Sequence, residues 1–349
     1  MTTKSALIKE TQKLENKLTQ ANLPQDLLQK AQEMVKRLGL MAEHSGYSAE
    51  YERTSKYINW ITVLPWDKTT EDNLDLKTAK EILDKHHYGM QGVKNRILEH
   101  LSIISLTKNK QDVSRAPILC LVGLVGTGKT TFGPALSEAM GRKYVRIPFG
   151  GMGSARDLRG QSRLHPDAEP GHLIKALKRA NSRNPIILLD EIDRVTAATR
   201  ADIMGVLVEL LDPEQNSQFI DHYLDYPVNL SDVLFIATAN NTRNIATAVL
   251  DRLEVIQMPS YTDEEKITIA KQYILPRTLK ESGLTKDDLT IDENVWSKIV
   301  RPLGFDAGLR TLERTIDGIA RKIARQIIEG KGKHFHLTLE NIKQYLPDY

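Results

Sequence analysis

The chain has 349 residues, 40% of them hydrophobic and 27% charged, with a formal net charge of +3. This is ordinary soluble, globular composition, long enough for two or three units and a large core, and its charge makes no demand for a nucleic-acid partner. A single cysteine, Cys120, excludes internal disulfides and cysteine-based zinc sites and fits a cytoplasmic protein, and no apolar run reaches the ~20 residues of a transmembrane helix or forms a secretory core at the N-terminus.

In chain order, residues 1–66 form a helical linker region. Leu7, Leu14 and Leu18 make one apolar stripe, Leu23-Pro24 breaks the first helix and Gly39 ends the second. Ser48-Ala-Glu-Tyr-Glu opens a third helix that runs to Pro65. This region is small for a domain of its own. Residues 67–259 alternate strand and helix signals, as a parallel α/β layer does. From Tyr261 the pattern is helical through 260–349, one helix opening at Asp263-Glu-Glu-Lys266 and another at Thr311. His86-His87 and His334-x-His336 have no partners at metal-ligand spacing and read as non-metal residues.

The most specific signal is Gly123-Leu-Val-Gly-Thr-Gly-Lys-Thr130, a full Walker A loop after the apolar run Pro117–Val122 and before a helix-like stretch. Glycines at 123, 126 and 128 let backbone N–H groups curl around a phosphate, so Gly123, Val125, Gly126, Thr127, Gly128, Lys129, Thr130 and Thr131 are the candidate ATP-binding residues. Lys129 serves the β- and γ-phosphates and the Thr130 hydroxyl serves Mg²⁺. A second apolar run, Pro185–Leu189, ends in Asp190-Glu191. It suits a central parallel strand whose carboxyl end abuts the loop, with Asp190 at the metal and Glu191 polarising the attacking water. A third run, Asp232–Ala239, ends in Asn240, whose amide is placed to hold the same water.

Several other segments resemble the AAA+ module of Lon protease: Leu64-Pro65-Trp66, His87-Tyr88-Gly89, Lys143-Tyr-Val-Arg146, Leu211-Asp-Pro-Glu-Gln-Asn216, Asp221-His-Tyr-Leu224, Leu250-Asp-Arg-Leu-Glu-Val255 and Ala307-Gly-Leu-Arg-Thr-Leu-Glu313. The likeness runs from about residue 50 to the C-terminus. It implies a five-stranded parallel sheet flanked by helices, an all-helical lid, and a homohexameric ring with ATP between neighbours. It further implies Arg252 as a finger acting in trans on the adjacent subunit's nucleotide, Arg310 as a second sensor in cis, Tyr88 near adenine, and unfolded or damaged protein as substrate.

The chain departs from that pattern in three places. Lon enzymes carry a Ser–Lys peptidase domain after this module, whereas this chain stops at Asp348-Tyr349 without a peptidase serine motif, so no peptide cleavage is expected of it and any peptidase would be a partner. The first pore loop, Gly160–Gly171, carries His165-Pro166, followed by Asp167 and Glu169, where relatives place an aromatic–aliphatic pair; this reduces the apolar grip on a threaded substrate and adds charge, with Leu164 or His165 left as the substitute contact. Leu124-Val125 stand where two prolines are common, and Pro134 falls early in the next helix, where an interior position would cost about 3 kcal/mol. The leading expectation is therefore an ATP-hydrolysing unfoldase or translocase module. A nucleotide-switched assembly protein is the alternative, and a nucleic-acid remodelling ATPase, which lacks a basic stripe or a stacking cluster, is the weakest.

Overall fold

The computed structural model describes residues 3–44, 48–107, 117–301 and 306–347; the chain-end residues Met1, Thr2, Asp348 and Tyr349 lie outside this set. Helices α1 (Thr3–Gln20), α2 (Gln25–His44) and α3 (Ala49–Val63) form the N-terminal layer. Leu7, Leu14 and Leu18 share one buried cluster with Leu27, Val35, Leu38, Tyr57 and Ile61. The Ser48 hydroxyl caps α3 by accepting the Tyr51 N–H at 3.2 Å, and the helix stops before Pro65 as its sequence directs. Gly39 does not end the second helix, which continues to His44. A glycine there costs about 1 kcal/mol of helix propensity, which packing along the flanking turns, Val35, Leu38 and Ala42, outweighs.

After α4 (Leu76–His86) and α5 (Gln91–Thr107) the chain enters the sheet at β1 (Ile118–Val122). It continues through α6 (Phe132–Met140), β2 (Tyr144–Pro148), α7 (Arg156–Arg159), α8 (His172–Ala180), β3 (Ile186–Asp190) and α9 (Arg200–Leu211). A hairpin of β4 (Phe219–Asp221) and β5 (Tyr226–Val228) precedes β6 (Leu234–Ala239), α10 (Thr247–Leu250) and β7 (Leu253–Gln257). The five long strands pair in the order β2-β3-β6-β1-β7, all parallel. β3 is buried at every position, as a central strand covered on both faces must be. The strand order brings the carboxyl ends of β3, β6 and β1 side by side, the place where open α/β sheets bind ligands.

Pro134 is the third residue of α6, in its first turn, and the helix runs unbroken to Met140, so the break expected of an interior proline does not arise. Gly133 has a packing reason: a Cβ there would lie 2.6 Å from the Tyr144 ring.

The C-terminal part contains α11 (Asp263–Ile269), α12 (Leu275–Glu281), β8 (Leu289–Ile291), α13 (Trp296–Val300), α14 (Arg310–Ile328), β9 (Phe335–Leu337) and α15 (Ile342–Tyr345). It is helical with one addition to the sequence expectation: β8 and β9 pair in parallel. Each strand is only three residues, too short for an alternation to stand out from helix periodicity. Among the described residues no helix is long and apolar enough to cross a membrane.

Two histidines in this frame predict a pH response. Burial depresses both His87 and His100 to about 4. The unfolded chain binds protons at these sites below pH 6.5 and the folded chain does not, so stability falls as pH drops from 6.5 toward 4. The slope approaches about 1.4 kcal/mol per pH unit for each histidine. Urea unfolding at pH 7.5, 6 and 5 should show this loss, and His100→Gln should reduce the slope. Midpoints that stay constant from pH 7 to 5 would contradict it.

Candidate nucleotide-binding site

The loop after β1 is built as the glycine spacing requires. Gly126 and Gly128 adopt φ of 85° and 89°, a region that L side chains rarely enter, and this turns their N–H groups into one concave surface. A 3₁₀ turn, Lys129–Thr131, then leads into α6, whose amino end adds a favourable dipole for an anion. Lys129 is only 6% exposed. Its ammonium donates to the carbonyls of Gly123 (2.7 Å) and Leu124 (2.8 Å) and to Asn240 Oδ1 (3.2 Å). Burial holds its pKa below the ordinary value, against the pull of Glu191, Asp193 and Asp190. Within the loop, Thr127 Oγ1 donates to Leu124 O at 2.9 Å and Thr131 Oγ1 to Gly128 O at 2.7 Å. Leu124 and Val125 face outward.

Asp190 ends β3 fully buried. Oδ1 accepts from Thr130 Oγ1 at 3.2 Å and from Thr238 Oγ1 at 2.5 Å, and Oδ2 accepts from Arg146 Nε at 2.7 Å. The Thr130 hydroxyl and the Asp190 carboxylate thus meet beside the phosphate loop, a hard oxygen pair of the kind Mg²⁺ takes. Glu191 follows in the left-handed region (φ 57°, ψ 50°). A non-glycine residue there stores roughly 1 kcal/mol or more and marks a position the surroundings enforce. Its N–H donates to Thr238 Oγ1 at 2.9 Å, and its carboxylate reaches toward Gly150, with Arg194 3.4 Å away.

Asn240 closes the group from β6. Its Oδ1 receives Lys129, while Nδ2 is buried without a hydrogen-bond partner. A buried amide N–H₂ left unpaired is costly, so this donor fits a ligand oxygen or a held water in the cradle.

Three residues to which the sequence assigns no role, Thr238, Asp193 and Arg146, hold this geometry. Thr238 links the tandem acids, accepting from one backbone and donating to the other's carboxylate. Buried Asp193 accepts the N–H groups of Asn240 (3.1 Å) and Asn241 (3.3 Å) and so fixes the end of β6. Arg146 anchors the outer oxygen of Asp190 from β2. The positions of Thr238 and Asp193, two before the strand-end amide and two after the acid pair, are the only local signal.

The C-terminal helical part reaches the same loop. Leu309 N–H donates to Gly126 O at 3.0 Å, and a Cβ on Gly308 would lie 2.6 Å from Val125 O. Arg310, the first residue of α14, places its Cγ 3.4 Å from a Cβ built on Gly126, and its charge helps depress Lys129. A cation at a helix amino terminus opposes the dipole, an arrangement that an intervening anion relieves.

Two further candidates take no part in these hydrogen bonds. Tyr88 is 37% exposed, and the residue of that segment nearest the loop is His87, stacked on Phe132 at 3.7 Å between ring centroids. His87 Nδ1 comes within 3.8 Å of a Cβ built on Gly128. Arg252 sits at the opposite end of the sheet, where its carbonyl accepts the N–H of Ile118 at the start of β1. The five-residue strand separates it from its own phosphate loop by roughly 16 Å at ~3.3 Å per residue. The guanidinium is held there by Asp212 Oδ2 (2.9 Å) and Ala248 O (2.7 Å). Leu164, His165 and Pro166 form an exposed tip, Leu164 at 83%, on a loop whose base is tied to α3. Lys56 donates there to Ala168 O at 3.2 Å, and Arg163 lies 4.0 Å from the Tyr57 ring centroid. His334 and His336 bond to Asp287 O and Asp292 and take no part in the site.

Two family models and several known proteins match the chain. The ATPase family associated with various cellular activities (AAA) matches residues 119–261, and the Lon protease AAA+ ATPase lid domain matches residues 280–335. Lon protease of Lawsonia intracellularis is 44% identical over 337 residues, which is 97% of this chain and 40% of that protein. Lon protease of Dictyoglomus thermophilum is 44% identical over 338 residues, 97% of this chain and 42% of that protein. Lon protease 2 of Thermus thermophilus is 41% identical over 345 residues. The chain thus spans about two fifths of the length of these relatives. With a phosphate loop, tandem acids and a lid closing on one another, this chain is an AAA+ ATPase module of the Lon type.

Proposed function

We propose that this chain hydrolyses ATP within a homohexameric ring and uses the cycle to pull unfolded or damaged polypeptide through a central channel, in the cytoplasm, toward a peptidase. The observation that carries the reading is the cradle itself: Lys129, Asn240 and the Thr130–Asp190 pair converge from three adjacent strand ends. ATP lies over the loop formed by Gly123, Val125, Gly126, Thr127, Gly128, Lys129, Thr130 and Thr131, with its base toward His87 and Tyr88. Thr130 and Asp190 would hold Mg²⁺, which would supply positive charge against the phosphates when bound. Glu191 takes the proton of the attacking water while Asn240 Nδ2 orients that water. Lys129 and Arg310 hold the γ-phosphoryl oxygens from within the subunit, and a neighbour's Arg252 completes the charge.

The trans role of Arg252 has a direct test. Arg252→Ala chains keep an intact phosphate loop and Lys129→Ala chains keep an intact finger, so each alone is expected to lose most ATPase activity. A mixture is expected to recover part of it, through interfaces where an intact loop meets an intact finger. A mixture as inactive as its components would rule out the trans role.

The tip of the central loop favours a second reading, a nucleotide-switched assembly that docks a partner without threading it. Leu164, His165 and Pro166 offer less flat apolar area than an aromatic pair. ATPase rate measured with an unfolded, casein-like polypeptide separates the two. Stimulation that increases in His165→Tyr supports a translocase with a weakened grip, whereas no response to any polypeptide favours the switch.

A further inference from the structure

The carboxyl end of α9 carries two carboxylates one turn apart, and each holds an arginine from a different part of the chain. Asp212, whose own N–H rests on Glu209 O at 3.3 Å, receives Arg252 Nη2. Glu209 receives Nη2 of Arg159, the last residue of α7, immediately before the exposed loop begins at Gly160. Arg159 is tied in place: its Cζ lies 5.7 Å from the Phe219 ring centroid and its carbonyl accepts the His222 N–H at 2.7 Å. Its Nε is buried without a hydrogen-bond partner. The pair therefore uses one corner of the guanidinium and leaves a buried donor unsatisfied, a cost that a rearrangement of the same two groups would remove.

The neck of the loop is too tight to absorb a shift of Arg159. A Cβ on Gly171 would lie 1.9 Å from Leu158 O, and one on Gly160 would lie 2.8 Å from Gly171 N. Buried Asp221 clamps the far side by accepting N–H groups from Gly171 (2.8 Å), Tyr223 (2.8 Å) and Leu224 (3.1 Å). Displacement at Arg159 therefore passes on to Leu164 and His165.

The geometry points to the end of α9 as a lever between the arginine finger and the central loop, with Asp212 and Glu209 as its positioning residues. When Arg252 leaves Asp212 for a neighbouring copy's triphosphate, Asp212 loses its counter-charge and the helix end resets. Glu209 then draws Arg159, and with it the loop, to a second position. This rests on the reading of Arg252 as a trans finger, and the mixing experiment above tests that reading separately.

The test is an environment-sensitive thiol dye on His165→Cys in the full chain; the native thiol, Cys120, is buried in β1. ATP and ADP are expected to give different emission, and Glu209→Gln is expected to shrink that difference about fivefold or more while leaving ATP affinity intact. Reversal of the pair, Arg159→Glu with Glu209→Arg, is expected to restore it; should the reversed pair not fold, Arg159→Lys, which keeps the charge, is expected to retain most of it. Arg252→Lys combined with Glu209→Gln is expected to do no more than either alone, since both cut the same connection. Additive losses, a full response in Glu209→Gln, or a dye indifferent to nucleotide in the chain with its native lever would each overturn the proposal.

Discussion

Lys129→Ala is expected to lower ATP affinity by about 100-fold or more while leaving the fold of the nucleotide-free chain intact. The ammonium is almost wholly buried, its hydrogen bonds go to two loop carbonyls and one amide oxygen, and the nearby acids Glu191, Asp193 and Asp190 offset its desolvation in part. Its depressed pKa records that the charged form is held at a cost. Removing it therefore relieves a local penalty in the free protein and removes the point charge that a polyphosphate needs. Thermal unfolding with and without Mg-ATP reads both effects together. The unmodified chain gains stability with ligand concentration as binding linkage demands, whereas the variant gives a much smaller shift at the same concentration. A shift as large as that of the unmodified chain would mean that the triphosphate is held elsewhere. Arg310→Ala makes the contrast: being exposed, it is expected to weaken binding far less than the buried lysine does.

How much of this site could be read from the chain depended on whether each residue's reason is local. The phosphate loop was legible because its glycines are needed by the backbone itself: Gly126 and Gly128 have the positive φ that their spacing implied. Asp190 and Asn240 were legible because each ends an apolar strand, and parallel sheets gather strand ends at one edge. The roles of Thr238, Asp193 and Arg146 were not, since each works through contact with a distant segment, and neither a position near a strand end nor membership of a family-like segment says what the side chain holds. Gly39 misled for the opposite reason: a local stop signal was overruled by packing on both sides of it. The lever at α9 is the extreme case, joining Arg159, Glu209, Asp212 and Arg252 across more than ninety residues of chain, a juxtaposition only the folded molecule supplies.

Glu191→Gln is expected to lower the turnover of ATP by about 10²- to 10⁴-fold and to leave its binding nearly unchanged. The amide keeps the shape of the side chain and the left-handed backbone that presents it, and the N–H on Thr238 is untouched. What is lost is the basic oxygen that the proposed mechanism uses to take the proton. Asp190→Asn is a poorer probe of the same chemistry. Its two oxygens accept from Thr130, Thr238 and Arg146, so an amide nitrogen there would face a donor in a buried position. Leaving Arg146 without its carboxylate costs about 3–5 kcal/mol by the usual penalty for a broken buried pair, reduced here because that arginine is half exposed. Melting temperature therefore separates the two substitutions: unchanged in Glu191→Gln, lowered in Asp190→Asn. Single-turnover hydrolysis then assigns the base. A Glu191→Gln chain that cleaves ATP within about tenfold of the native rate would move water activation away from Glu191, since loss of a general base is worth at least 10²-fold.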